Sequence, residues 1–200
     1  WYELPSGCLF HVANAWEDPQ GVICLHYMRS DGPMSLLAGW SVMRGQYRHV
    51  DDAHLFEVRL DPSRGTAVQE SMGLCEAEFP VVDSSDVGRD YRQVLCLERS
   101  TSRQSDVPGF DQVARIDVEG GDGQRFTYGD DWLVEEHVLA RARDEERARW
   151  VIGTALDLKS QATVLSVFEA SHIAGGPVAQ ARLPYALPLG LHGTYVPAEG

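Results

Sequence analysis

The stretch Leu55-Phe56-Glu57-Val58-Arg59-Leu60-Asp61-Pro62-Ser63-Arg64-Gly65 alternates apolar with polar residues and then runs into a turn signature. A period of two puts every second side chain on one buried face, which marks a half-buried strand, and Asp, Pro, Ser and Gly are the residues that close hairpins. The form returns in Val113-Ala114-Arg115-Ile116-Asp117-Val118-Glu119-Gly120-Gly121 and, more loosely, in Leu165-Ser166-Val167-Phe168-Glu169-Ala170. The acidic residues of the three copies, Asp61, Asp117 and Glu169, stand 56 and 52 residues apart (117 − 61 and 169 − 117). That period suits a four-stranded propeller blade of roughly 40 to 50 residues plus loops, and at that period the chain holds roughly four blades. An antiparallel sandwich whose hairpins share turn chemistry gives the same pattern, so periodicity leaves propeller and sandwich both open.

Other segments read the same way. Gly21 to Met28 and Trp150 to Leu156 are apolar or alternating runs bounded by turn residues, and both are expected to be strands. Helical periodicity is scarce. Its best stretch, Val134 to Arg149, is charged nearly all round after its first residues and has no apolar stripe to bury, so it reads as a short strand leading into an exposed charged loop. The fold class is therefore all-β.

Two hundred residues, 44% of them hydrophobic, suffice for a real core. The opening Trp1-Tyr2-Glu3-Leu4-Pro5, without a methionine, reads as the start of a piece cut from a longer folded chain. Thirty acidic against 17 basic residues give a formal charge of −13, which leaves little to neutralise phosphates and argues against nucleic acid as a partner. No run approaches the roughly 18 apolar residues of a membrane-spanning helix. Cys8, Cys24, Cys75 and Cys96 include no C-x-x-C pair, and Cys8, Cys24 and Cys96 sit in apolar stretches; buried free thiols in a reducing, cytoplasmic setting are the expectation.

Two of the seven histidines stand in unusual company. His11 is delivered by the strand Cys8-Leu9-Phe10 just ahead of Val12-Ala13-Asn14-Ala15-Trp16-Glu17, and His192 is flanked by glycines in Pro188-Leu189-Gly190-Leu191-His192-Gly193, where the backbone can approach another group closely. Imidazole is the commonest metal ligand, although residue type alone favours a hydrogen-bonded core histidine at each position. Glu78 in Glu78-Phe79-Pro80 and Glu136 in Trp132 to Val138 are carboxylates in apolar or turn settings that could orient such rings, although residue type alone favours a plain surface charge at each. His137, beside that acidic pair, is the one other histidine singled out for testing. No H-E-x-x-H, G-x-S-x-G, Walker or Rossmann pattern occurs, and Gly120-Gly121-Asp122-Gly123 reads as a hairpin turn, so the hydrolase and nucleotide-binding readings lose support.

Together these segments resemble the carotenoid cleavage oxygenases, a family that includes lignostilbene dioxygenases and the retinal pigment epithelium isomerase. Phe10-His11-Val12-Ala13-Asn14-Ala15-Trp16-Glu17 is similar to the family's F-H-x-x-N-A-aromatic-E motif, and Leu189-Gly190-Leu191-His192-Gly193 to its C-terminal G-[F/L]-H-G motif. Glu78-Phe79-Pro80 resembles the family's E-F-P, and Glu136 falls where a further glutamate stands; Gly153 to Asp157 and Ala181 to Pro184 extend the similarity over almost the whole chain. The resemblance implies a seven-bladed β-propeller, with residues 1–200 supplying roughly the last four blades as the C-terminal portion of one domain. It implies Fe(II) held by four histidines, His11 and His192 among them, with Glu78 and Glu136 hydrogen-bonded behind the rings. The family's other two histidines and third outer glutamate lie upstream of the F-H motif, so the piece alone is expected to be inactive.

The implied activity is oxidative cleavage by O₂ of a carbon–carbon double bond in a hydrophobic small molecule. A carotenoid or apocarotenoid is the first expectation and a stilbene the alternative. A metal-free propeller acting as a binding scaffold is the competing class.

Overall fold

Strand β6 (Gln93–Glu98) explains how the core is divided. Val94 and Cys96 point one way and Leu95 and Leu97 the other, and all four are buried because an apolar layer lies on each side of the strand. The computed structural model describes residues 1–32, 44, 46, 53–73, 76–104, 107–142 and 144–197; Cys75 and His49 lie outside the described residues.

Among them are three four-stranded antiparallel sheets, each a simple meander, and no α-helix. The first sheet runs β1 (Cys8–Glu17), β2 (Ile23–Ser30), β3 (His54–Asp61) and β4 (Thr66–Ser71). The second pairs β5 (Ala77–Val81), β6, β7 (Gln112–Asp117) and β8 (Gly123–Thr127), and the third β9 (Trp132–Ala140), β10 (Trp150–Asp157), β11 (Ala162–Glu169) and β12 (Ala179–Arg182). Met28, Leu55, Val94, Cys96 and Ile116 fill the layer between the first two sheets. Leu97, Val113, Val134, Val151 and Phe168 fill the layer between the second and third.

The sequence repeat marks the third strand of each sheet: β3, β7 and β11. Its aspartates recur because each folds a turn onto its own carboxylate. Asp61 Oδ1 accepts the amides of Ser63 and Arg64 at 2.9 and 3.1 Å, and Asp117 Oδ1 those of Glu119 and Gly120 at 3.0 and 3.4 Å. In the third sheet the same turn is folded by Asp157, at the end of β10, on Lys159 and Ser160, whereas Glu169 closes β11 without one. Among the described residues there are three sheets; the period suggested about four blades for the whole chain. Their first strands begin 69 and 55 residues apart (77 − 8 and 132 − 77), longer than a bare blade. Residues Val134 to Ala140 complete β9, and the described residues between it and β10 form a loop, as their charge pattern requires.

The first strands β1, β5 and β9 follow one another across the molecule and share an irregularity. Leu9 and Val12 of β1 face Arg29 and Tyr27, Glu78 and Val81 of β5 face Leu97 and Leu95, and Val134 and His137 of β9 face Ala155 and Gly153. In each case three steps on the first strand oppose two on its neighbour. Each strand thus carries a β-bulge of one extra residue, which breaks the alternation of faces and re-aims the side chains beside it.

Candidate functional site

The three bulges fall at Phe10–His11, Phe79–Pro80 and Glu135–Glu136, and they bring the four residues singled out from the sequence into one chain of contacts. His11 Nδ1 lies 2.6 Å from Glu78 Oε2, and His11 Nε2 lies 3.4 Å from Nε2 of His192. On the far side, His192 Nδ1 is 3.3 Å from Glu136 Oε1, and the other Glu136 oxygen accepts the Gly193 amide at 2.5 Å. The two imidazoles stand nearly perpendicular, with centroids 5.1 Å apart.

The bulges also put consecutive residues on one side. Phe10 and His11 line the same cavity, as do Glu78 and Phe79, which a regular strand would send to opposite faces. That cavity, about 470 Å³, is walled by Phe10, Phe79, Phe110 and Leu191, with Cys8 and Ser30 also in its lining. Phe79 packs on His11 and His192 with centroids 5.1 and 5.7 Å away. Its backbone sits at φ 55°, left-handed for a residue that precedes a proline, a conformation that costs on the order of 1–3 kcal/mol and is typical of functional sites. The Phe79 amide donates at 2.9 Å to the same Glu78 oxygen that faces His11.

The electrostatics follow from these partners. The hydrogen bond to Glu78 raises the His11 pKa; partial burial opposes that, and the charges of Glu78 and Glu136 add to it. Each carboxylate favours the tautomer with its proton on Nδ1, leaving the Nε2 lone pairs of both rings aimed at one another. Two acceptors 3.4 Å apart repel unless a proton or a cation lies between them. Glu78 Oε1 is buried with no hydrogen-bond partner among the described residues, a cost that a nearby positive charge offsets. Two imidazole nitrogens each about 2.1 Å from one ion are at most about 4.2 Å apart, so the observed spacing fits shared coordination. Among the described residues no group of three or more His, Cys, Asp or Glu side chains forms a complete metal site.

Other residues take structural places. Asn14, in the His11 motif, is buried and donates to the carbonyls of Asp86 and Arg89 at 2.9 and 3.0 Å while accepting the Gly88 amide at 3.0 Å. It ties β1 to the loop before β6. His137 is a core histidine: Nδ1 donates to the Glu135 carbonyl at 2.8 Å, Nε2 faces the Tyr128 hydroxyl at 3.3 Å, and burial pushes its pKa down to about 4. Cys24 and Cys96 are buried free thiols, raised in pKa by that burial, whereas Cys8 is half-buried at the cavity.

The family model described as retinal pigment epithelial membrane protein (RPE65) matches residues 1–197. The chain belongs to this family. Among curated relatives, it is 24% identical over 208 residues to carotenoid 9,10(9′,10′)-cleavage dioxygenase 1 of Arabidopsis thaliana, covering 100% of this chain and 38% of that protein. It is 22% identical to the apocarotenoid-15,15′-oxygenase of Synechocystis, over 96% of this chain and 39% of that one. The chain therefore spans about two fifths of the length of these relatives.

Two solved structures share its fold. Cobalt-substituted Synechocystis apocarotenoid oxygenase aligns with a TM-score of 0.79 at 20% identity, over 98% of this chain and 41% of that one. The lignostilbene dioxygenase of Pseudomonas brassicacearum aligns with a TM-score of 0.80 at 21% identity, over 96% and 42%. Although the family description names a membrane protein, no helix among the described residues is long and apolar enough to cross a membrane.

Proposed function

We propose that this chain forms the C-terminal part of a seven-bladed propeller oxygenase, in which His11 and His192 are two of the ligands of an Fe(II) ion that serves cleavage of a carotenoid or apocarotenoid double bond. The observation that carries the reading is the convergence of the two Nε2 atoms at 3.4 Å, each ring backed by a carboxylate on its other nitrogen, beside an aromatic cavity. The names of the relatives, carotenoid and apocarotenoid oxygenases, supply the substrate class.

When bound, Fe(II) supplies the redox partner that lets dioxygen react with an alkene. The residues of the chain do the rest. Glu78 and Glu136 hold the protons at Nδ1 of His11 and His192, which leaves each Nε2 lone pair for the metal, and their charge would offset that of a dipositive ion from behind the rings. Phe10, Phe79, Phe110 and Leu191 offer apolar walls to an extended polyene. The overall reaction is R–CH=CH–R′ + O₂ giving R–CHO and OHC–R′. Both atoms of dioxygen end as carbonyl oxygens, and no external reductant is needed.

The test uses the full-length protein with Fe(II), O₂ and either a β-apocarotenal or a hydroxystilbene, with the released aldehydes identified. Apocarotenal cleavage supports the reading, and cleavage of the stilbene alone transfers the site to that substrate class. His192→Ala is expected to abolish iron retention and cleavage, while His172→Ala, on the turn after β11, changes neither. Equal iron content and activity in wild type and the His192 variant would remove the ligand assignment.

A further inference from the structure

His192 rides on a segment that barely belongs to the core. Residues 183–197 have no regular secondary structure, and from Pro184 onward all of them are exposed. Near their start, Leu183 and Tyr185 pair with the Thr163 backbone and the Leu187 amide donates to the Thr163 hydroxyl at 2.9 Å. Beyond Leu187, apart from the contact of His192 with His11, every hydrogen bond of the strap among the described residues ends on Glu135 or Glu136.

Glu136 takes His192 and Gly193. Glu135 takes the Gly190 amide on Oε1 at 2.6 Å, and its other oxygen accepts the Thr154 hydroxyl of β10 at 2.6 Å. In a regular strand these consecutive carboxylates would face opposite sides of the sheet. The extra residue between Val134 and His137 turns both toward the strap, while His137 anchors the bulge from within by donating to the Glu135 carbonyl.

From this geometry we infer that Glu135, braced by Thr154, is a positioning residue that fixes the approach of the strap so that His192 Nε2 meets His11 Nε2. The inference rests on the reading of His192 as a ligand. Glu135 touches neither imidazole; it sets where Gly190 stands, two residues before His192. One anchor at Gly190 and one at Gly193 bracket the ring, and losing the first leaves the segment from Pro188 to Leu191 free to swing about the second.

The experiment compares wild type, Glu135→Ala and Glu135→Gln in the full-length protein. It reads hydrogen exchange of the peptide spanning 188–194 without metal, iron retained against a chelator, and thermal unfolding. Glu135→Ala is expected to speed exchange in that peptide about tenfold, leave exchange elsewhere and the unfolding temperature unchanged, and weaken iron retention about 10- to 100-fold, as is usual when a group behind a ligand is lost. Glu135→Gln, whose amide can still accept from Gly190 and donate to Thr154, is expected to stay within about threefold of wild type, the residual of one altered hydrogen bond.

Unchanged exchange at 188–194 in Glu135→Ala overturns the proposal. So does a general loss of protection with a fall in unfolding temperature, which would make Glu135 a support of the sheet rather than of the strap. Wild-type protein that retains no iron would sink the ligand reading, and the metal-free exchange pattern would still decide whether the clamp exists.

Discussion

Replacing Asn14 tests whether the His11 motif is built as much for placing a strand as for chemistry. Its side chain makes three hydrogen bonds of 2.9 to 3.0 Å to the backbone of residues 86–89, more than 70 residues away in sequence. At about 0.5–1.5 kcal/mol net for each bond, Asn14→Ala removes about 1.5–4.5 kcal/mol. Because Val87, Gly88 and Arg89 are exposed and water can reach part of the loop, the lower half of that range, about 2 kcal/mol, is the expected value. Asn14→Asp is nearly isosteric, yet it loses both donors and sets a buried carboxylate against the Asp86 and Arg89 carbonyls, so it should cost at least about 3 kcal/mol. Urea unfolding of the two full-length variants gives the ranking directly. An aspartate variant more stable than the alanine one, or both within about 0.5 kcal/mol of wild type, would refute the reasoning.

Glu78→Gln removes the charge behind His11 and is expected to lower iron retention about 10- to 100-fold while leaving substrate KM unchanged; a KM change without an iron change would point instead to the cavity wall. His26 and His137 are both buried, with pKa values pushed by burial down to about 4. Unfolded chains hold these protons from about pH 6.5, so stability is fully present above that pH and falls as pH drops toward 4, by up to about 3 kcal/mol per ring. Ring ¹⁵N shifts should show both neutral at pH 5, and titration near 6.5 would contradict their burial. Gly153→Ala would drive a methyl into the His137 ring on the facing strand and should cost about 1–3 kcal/mol by calorimetry, whereas Gly65→Ala, at a turn open to solvent, should lose only the strain of its positive φ.

Much of the fold could be read from alternation because the sheets bury their faces in a regular way. The repeat ending in Asp61 and Asp117 located β3 and β7 for a physical reason, the turn that each carboxylate folds around itself. The copy ending in Glu169 located β11 while missing that its sheet folds the equivalent turn at Asp157.

At the site, His11, His192, Glu78 and Glu136 were legible as motif residues, and the structure joins them in one line of contacts. Glu135, Thr154 and the aromatic walls were not. A charged residue beside Glu136 should face the other way in any regular strand, and only the ladder register reveals the extra residue that turns it. His137 illustrates the reverse error: its acidic neighbours suggested chemistry, but its ring is enclosed by Phe168 and Tyr128.

The bulges of β1, β5 and β9 separate two jobs that a strand usually performs with the same residues. A side chain carried on a residue outside the pairing ladder, as Phe10 is, can be exchanged without disturbing register, so the cavity wall can change there while the histidines and carboxylates beside it are kept. Such an architecture lets one sheet framework be refitted for new substrates by point changes at its inner rim, with the hairpins around it left as they are.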